Sequence, residues 1–402
     1  MPHRSVRTRP LPTVIGVTRT RWTALGAALV VMVVAVTVVS LVSFGGESSG
    51  APPSAASSTT LESTTTSTAV STTTTTRPRG RRGSGVPVTI AFGGDVHFEK
   101  MLRTQLDTNA SGMLAPIAPV LSSADLAVVN LETAVTERGT PAPKEFTFRA
   151  PARAFTALRA AGVDVASMAN NHGLDYGPDG LTDSLAAAAF AHFPVIGIGH
   201  DAAEAYRPFR ATVHGQRIAV IGATQVLDAN LITAWTATDT HAGLASAKDV
   251  PRLVAEVREA RASSDTVVVF LHWGIEAHTC PSAAQEELAR TLVDAGADIV
   301  IGGHAHRLEG GGRLAASAGE RDQPARSAFV GYGLGNFVFY TSGGPGAQSG
   351  VVLVTVTGRE VDGYRFVPAQ LHNGVATPLT GDAATAATAQ WDALRSCTNL
   401  TP

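Results

Sequence analysis

The sequence predicts an α/β fold, two mixed β-sheets in a sandwich flanked by helices, preceded by one transmembrane helix. Three observations predict it. From Val86 onward, short β-branched apolar runs alternate with runs of helical spacing, the pattern of α/β chains. Two pairs of runs lie close enough in sequence to be antiparallel hairpins, so the sheets are mixed rather than purely parallel. Metal-ligand side chains stand at the tips of several apolar runs, in the order Asp95-x-His97, Asn130-x-Glu132, Asn170-Asn171-His172, His272 and His304-x-His306. The carboxyl ends of strands are where an open α/β sheet offers its crevice.

Arg4, Arg7, Arg9, Arg19 and Arg21 make residues 1–21 a basic tail. The stretch Trp22 to Phe44 carries no charge. At about 1.5 Å per residue it just spans a hydrocarbon core of ~30 Å. Basic residues stay on the cytoplasmic side, which places the N-terminus inside and the rest of the chain outside. A cleaved secretory signal would have a shorter apolar region and a small-residue cleavage site, and none follows Phe44, so an uncleaved anchor is expected. No nearby Cys serves a lipoprotein anchor, and either reading exports the chain. Residues 45–86 are rich in Ser, Thr, Pro and Gly and bury too little to offset chain ordering; they read as a disordered linker. Its closing cluster, Arg77 to Arg82, is either a solvated, protease-sensitive spot or a contact for anionic envelope polymer.

The chain has 402 residues, 44% of them apolar, which supports a sizeable core. Its formal charge of −2 is uneven. Residues 1–82 carry nine Lys/Arg against Glu47 and Glu62, and the remainder carries 22 basic against 31 acidic residues. An acidic exported domain argues against a nucleic-acid partner. The two cysteines, Cys280 and Cys397, are able to form a disulfide outside the cytoplasm, though spacing alone does not show that they meet. No motif around Cys280 activates a thiol nucleophile.

Within the exported domain, expected at 87–371, Val88–Phe92, Leu126–Val129, Val163–Ala169, Val195–Ile198, Ile218–Ile221, Val267–Leu271, Ile299–Ile301 and Phe329–Val330 read as buried strands. Pro151–Ala161, Leu181–Ala191, Val250–Ala262 and Ser282–Ala295 have helical spacing. Ser282 and Glu286 mark the start of the last and Gly296 its stop. Arg210–Val213 with Ile218–Ile221 reads as a hairpin. Val351–Val356 with Tyr364–Pro368 reads as another, turning at Asp362-Gly363. Residues 372–402 form an Ala/Thr-rich tail in which Trp391 packs back on the domain.

Each polar motif has a chemical reading beside a plainer one. Asp95 and His97 follow Gly93-Gly94, and an i, i+2 spacing aims two side chains at one point; a simple Gly-Asp turn is the alternative. Glu132 either bridges two cations or begins a solvated loop. Asn171 offers a neutral oxygen. His172, with Asp175 and Gly177 behind it, either protonates a leaving oxygen or holds an anion, while a bare Asn-Asn-His turn is the plain reading. His272 ends the most apolar strand, and Glu276 either orients an imidazole or caps the next turn. His304 and His306 after Gly302-Gly303 give the strongest local metal signal. Asn130, Asn170 and Asn336 are candidate polar contacts at the crevice. Imidazole, carboxylate and amide oxygen together suit one or two borderline divalent cations, of the Mn, Zn or Fe kind, and five such motifs in register make a dinuclear centre the leading expectation.

On these residues the chain resembles the bacterial capsule-synthesis CapA family, associated with poly-γ-glutamate production. The resemblance is carried by Gly94-Asp95, Asn130-Leu131-Glu132, Ala169-Asn170-Asn171-His172 with Asp175 and Gly177, and Gly197-Ile198-Gly199. It continues with His272-Trp273-Gly274-Ile275-Glu276, Gly296-Ala297-Asp298, His304-Ala305-His306 and Leu334-Gly335-Asn336-Phe337, covering Val88 to Pro368. That family looks like a branch of the calcineurin-like metallophosphoesterases, whose fold is a two-sheet sandwich flanked by helices. The resemblance implies that Asp95, His97 and His306 hold one cation and Asn171, His272 and His304 a second, with Glu132 bridging. It implies His172 as general acid or anion clamp. Glu132 stands where the phosphoesterases usually carry aspartate, and Ala305 where CapA-like chains commonly carry proline.

The function expected is that of a membrane-anchored extracytoplasmic protein of capsule or exopolymer synthesis, working by metal-assisted hydrolysis or transfer on an anionic envelope polymer or phosphate-containing substrate. Membrane synthase subunits are the expected protein partners. Two alternatives stand beside it: an extracellular phosphoesterase acting on nucleotide or sugar phosphates, and a non-catalytic scaffold that binds polymer. Lys144 and Arg149 are the candidate phosphate clamps for the former, with surface charges as the plainer reading of both.

Overall fold

The computed structural model of the protein describes residues 82–317, 326–341 and 343–402. The expected basic tail (1–21), anchor (22–44) and linker up to residue 81 lie outside the described residues. Among the described residues no helix is long and apolar enough to cross a membrane.

Two large mixed sheets carry the molecule. The first has eight strands, in spatial order Asn336–Val338, Val375–Pro378, Glu360–His372, Gln348–Thr357, Val88–Val96, Leu126–Leu131, Val165–Ser167 and Val195–Ile196. The second has six, in the order Gly311–Ala315, Ser327–Gly331, Ile299–His304, Thr266–Trp273, Gln216–Thr224 and Phe209–Val213. The central strands of each run parallel, and hairpins add antiparallel edges.

Strand alternation separates the faces. Ile90, Phe92 and Val128 of the first sheet meet Val220, Val268, Phe270 and Ile301 of the second in one core between the sheets. Ala91, Ala127 and Val129 point the other way, toward the helices Met101–Asn109, Ala154–Ala160 and Gly177–Phe190. Val267, Val269 and Leu271 likewise face helices Val250–Ser263 and Ala283–Ala295. Both faces of each central strand are thus buried, which is why the strands read as continuous apolar runs.

The four predicted helices form, the last one capped by Ser282 in a capping box whose partner is Gln285 rather than Glu286, and closed by Gly296. Several elements are not legible in the sequence. Helix Met101–Asn109 buries only Leu102 and Leu106, a stripe too thin to announce itself. The expected tail at 372–402 is part of the folded body. Its residues form the strand Val375–Pro378 and the helix Gly381–Leu394, and Trp391 from that helix stacks on Phe366 at 4.7 Å in the core between the sheets. The second hairpin turns at Gly358-Arg359 instead of Asp362-Gly363, because a bulge near Val356 takes up the extra residue. The linker, expected to run to 86, is already fixed at Arg82, which pairs with Glu360, and at Ser84. Cys280 and Cys397 form a disulfide, with Cα atoms 5.7 Å apart.

One buried carboxyl bears on stability. Glu309, 1% exposed, accepts from Gln285 Nε2 at 2.9 Å, and its other oxygen has no hydrogen-bond partner. Burial pushes it up to about 7 from an ordinary 4.5. A raised carboxyl stabilises the fold below its unfolded pKa, and that contribution is lost as pH rises through about 7. Glu309→Gln keeps the acceptor and removes the charge. We expect its melting temperature to match the parent at pH 5 and to exceed it at pH 8, by about 1–3 kcal/mol in stability; scanning calorimetry at the two values decides.

Candidate metal centre

The carboxyl ends of strands from both sheets meet at one place. Strand Val88–Val96 slips register between Phe92 and Asp95, at Gly93-Gly94, and only glycine fits at 94: a Cβ there would stand 2.0 Å from the Gly335 carbonyl oxygen. The slip sends the Asp95 carboxylate across to the second sheet. Oδ1 accepts from Asn130 Nδ2 at 2.8 Å, and Oδ2 accepts from the His304 backbone N–H at 3.0 Å and lies 3.3 Å from His306 Nδ1. Gly303 leaves room for that carboxylate, since a Cβ would come within 2.4 Å of Asp95 Oδ1.

Around it the other side chains converge. His272 Nε2 is 2.8 Å from Asn171 Oδ1 and 3.4 Å from Glu132 Oε1, while His306 Nε2 is 4.0 Å from the same oxygen. Glu132, His304 and His306 each offer a ligand atom within 4.8 Å of the others. The rings of His272 and His304 lie 4.8 Å apart, centre to centre. His304 and His306 take φ of +92° and +52°, a conformation β-carbon sterics disfavour. Such strain costs about 1–3 kcal/mol per residue and is characteristic of functional sites.

The donor set fits a divalent cation. Both Glu132 oxygens, His97 Nε2 and His304 Nδ1 are buried without a hydrogen-bond partner. Burial and the charge of Asp95 push Glu132 up to about 8. Burial also pushes Asp95 up, but the His306 imidazole beside it prevails and holds it near 2. His306 is raised to about 9: burial opposes its charge, and Glu132 and Asp95 outweigh burial. Burial lowers His304 to about 2 and His272 to about 3, so both rings are neutral; His304 Nδ1 has a lone pair to offer, whereas His272 Nδ1 accepts from Asn130 Nδ2 at 3.1 Å and its Nε2 donates to Asn171 Oδ1. In the dry gap the Asp95 carboxylate thus faces the His306 imidazolium while Glu132 is held protonated at neutral pH, and a divalent cation would let Glu132 ionise and would answer the unmet acceptors as no neutral group does. His97 is held in the same way as His272. Its Nδ1 takes the Glu99 N–H at 3.1 Å, so Nε2 becomes a ligand only if the ring gives up that bond and moves its proton to Nδ1.

His172 is held by its neighbours. Its Nδ1 meets Asp175 Oδ2 at 2.5 Å, and its Nε2 looks toward Glu132 Oε1 at 3.9 Å. Asp175 also accepts from the Phe148 N–H at 2.6 Å and pairs with Lys144 at 3.1 Å. Lys144 is therefore no surface charge. Its side chain is 8% exposed, and it also bonds the Asn171 carbonyl oxygen, so that it reaches the Asn-Asn-His turn at Asn171 directly and at His172 through Asp175. Phe148 stacks between His97 and His172, at 4.5 and 3.9 Å. Arg149 lies over the Tyr176 ring, with no bond to the centre.

The remaining candidates divide. Asn130 and Asn170 form a hydrogen-bonded chain behind the ligands, Asn170 Nδ2 to Asn130 Oδ1 at 3.0 Å and Asn130 Nδ2 to Asp95. Asn336, paired in register with Asp95, donates to the Gly346 carbonyl oxygen at 2.9 Å. Glu276 is exposed and hydrogen-bonds no imidazole. Phe148 was legible only as part of an apolar-polar alternation, Phe146-Thr147-Phe148, and Lys144 only as a candidate phosphate clamp or a surface charge; neither reading shows the contacts both make with Asp175.

Residues 89–341 match the family described as bacterial capsule synthesis protein PGA_cap. The chain is 26% identical over 307 residues to the PGA biosynthesis protein CapA of Bacillus subtilis (strain 168), covering 73% of this chain and 74% of that protein. It is 29% identical over 272 residues to the capsule biosynthesis protein CapA of Bacillus anthracis, covering 66% of this chain and 62% of the relative. Among solved structures, a hypothetical protein from Thermus thermophilus aligns at a TM-score of 0.42 and 16% identity, over 71% of this chain and 100% of its own.

Two outcomes test the geometry. Lys144→Met leaves Asp175 buried without its cation, and we expect a loss of about 3 kcal/mol by urea denaturation. Manganese or zinc should raise the melting temperature of the parent protein, with no rise in the His304→Ala/His306→Ala double variant.

Proposed function

The chain belongs to the bacterial capsule synthesis PGA_cap family, and on that premise we propose that it serves capsule or exopolymer synthesis of the poly-γ-glutamate type as an extracytoplasmic metal-dependent hydrolase or transferase. The observation that carries the reading is the meeting, at strand tips of two sheets, of buried carboxylate and imidazole atoms with no protein partner.

Two cations suit the ligand set. Asp95 and His306 would hold one, joined by His97 after its proton shift; Asn171, His304 and, after the same shift, His272 would hold the other, and Glu132 Oε1 lies 3.4 Å from His272 Nε2 and 4.0 Å from His306 Nε2. This is the ligand order of the metallophosphoesterase-type reading. A divalent cation bound there acts as a Lewis acid on the substrate oxygen. The protein's own residues do the rest. Asp175 fixes the ring of His172 and leaves Nε2 facing the crevice, from where it delivers a proton to the leaving oxygen. Phe148 and Phe339 wall the His97 side and keep water away from it.

The Trp22–Phe44 stretch would hold the domain at the outer face of the membrane, beside the synthase subunits that make the polymer. The Cys280–Cys397 disulfide supports an oxidising, extracytoplasmic location.

The test is metal content together with hydrolysis, on phosphomonoesters, phosphodiesters and poly-γ-glutamate, for the parent and for His172→Asn. We expect about two cations per chain in both proteins and a loss of roughly 10²-fold or more in turnover in the variant. Turnover confined to small phosphate esters would mark an extracellular phosphoesterase. Bound metal with no turnover on any substrate would mark a polymer-binding scaffold.

A further inference from the structure

Next to the centre, polar groups gather around a glycine that no catalytic role has claimed. Arg307 follows His306 directly and is half-buried. Its Nη1 donates to the His306 carbonyl oxygen at 2.9 Å, and among the described residues no carboxylate pairs with its guanidinium. Nη1 also faces the bare side of Gly346: it lies 3.0 Å from where a Cβ on that glycine would stand, with Thr341 Oγ1 at 3.5 Å and Asn336 Nδ2 at 3.7 Å from the same point. The Thr341 hydroxyl has no hydrogen-bond partner among the described residues, and the Asn336 amide, 2% exposed, is held by the Gly346 carbonyl oxygen. Asn336 pairs in register with Asp95, which fixes this group beside the metal ligands.

A half-buried guanidinium without a counter-charge is costly unless an anion answers it, and its planar fork matches a carboxylate in two parallel bonds. A second cation without a carboxylate partner among the described residues, Lys100, stands over the Tyr340 ring at 3.9 Å, and that ring lies 4.7 Å from His97. The surrounding domain is acidic, with 31 carboxylates against 22 basic side chains from residue 83 onward. Cations left without partners in such a domain therefore discriminate by position rather than by overall field.

We propose that Arg307 and Thr341, over the open face of Gly346, form a carboxylate-binding seat next to the metal centre, which holds a carboxylate of the substrate chain one step from the reacting bond, with Lys100 meeting a further carboxylate on the His97 side. The seat rests on the reading of the centre as a polymer-processing site, and it makes the substrate a chain with regularly spaced acidic groups. Phosphate is the other oxyanion with the chemistry to enter the seat, and it is set against the carboxylate below.

The test is binding of a fluorescent oligo-γ-glutamate to the full chain, measured by anisotropy, beside the neutral oligo-γ-glutamine of the same length and inorganic phosphate as competitor. Metal content is measured on every protein. We expect the acidic oligomer alone to bind, about tenfold more weakly in Arg307→Gln and in Gly346→Ala, whose new methyl fills the open face, and more weakly in Lys100→Gln. Arg365→Gln, on an exposed strand position, should bind as the parent does. Unchanged binding in Arg307→Gln and Gly346→Ala with metal retained overturns the seat and leaves the metal centre standing. Equal binding of the glutamine oligomer overturns carboxylate recognition, and displacement by phosphate at equal concentration shows a phosphate seat instead. Absence of metal in the parent protein would instead overturn the reading beneath the seat, and anisotropy would still report on the seat by itself.

Discussion

Two acidic side chains in a dry gap between sheets govern the architecture of the centre. Asp95 and Glu132 are wholly buried, and water does not reach them. Their setting decides the state of their neighbours. His306 is the imidazole held cationic, because Glu132 and the hydrogen-bonded Asp95 favour its charge over burial, whereas His272 and His304 are kept neutral by burial. The backbone is bent to the same end. A slipped register at Gly93-Gly94, a missing side chain at Gly303 and two histidines in left-handed conformation all serve to bring Asp95 against the second sheet. Each departure is a local cost that strand packing on both faces of the sheets is able to offset.

Behind the ligands stands a layer of neutral and charged side chains that sets their direction. Asn170, Asn130 and Asp95 form one line of hydrogen bonds reaching from the first sheet to the second. Lys144, Asp175 and His172 form another, and it ends on an imidazole whose free nitrogen faces the crevice. The first line positions Asp95 and the second His172. Both pass through one turn, at Asn170 and His172, so the two side chains are placed together.

How far the sequence disclosed this follows from the physics of each signal. The central strands were plain because burial on both faces leaves unbroken apolar runs, as in Val267 to Leu271. The ligand candidates were plain because imidazoles and carboxylates at strand tips are rarely placed there without use. Lys144 was misread as a surface charge, since nothing in its neighbourhood distinguishes a buried lysine from a solvated one before the fold brings Asp175 to it. Arg307 passed unremarked for a similar reason: its meaning depends on Gly346, 39 positions away, having no side chain. The helix at 381–394 was hidden by an Ala/Thr composition, and its single buried anchor, Trp391, gives no period to read. The turn at Gly358-Arg359 was displaced by a bulge, which sequence periodicity does not reveal.

The segment 391–401 has a consequence for the order in which the molecule is made. Trp391 completes the core between the sheets, Cys397 fastens the loop that follows His272, Leu400 enters the core of the second sheet, and Thr401 pairs with Arg313. Under the export proposed above, a chain delivered across a membrane from its N-terminal side presents these residues after the strands and candidate ligands that precede them. The sheets would then wait, incompletely sealed, until that segment has emerged, and the metal ligands between them would stay reachable by solvent and ions during the delay. Export would thus provide its own interval for loading the centre, and the arrival of one tryptophan and one cysteine would end it.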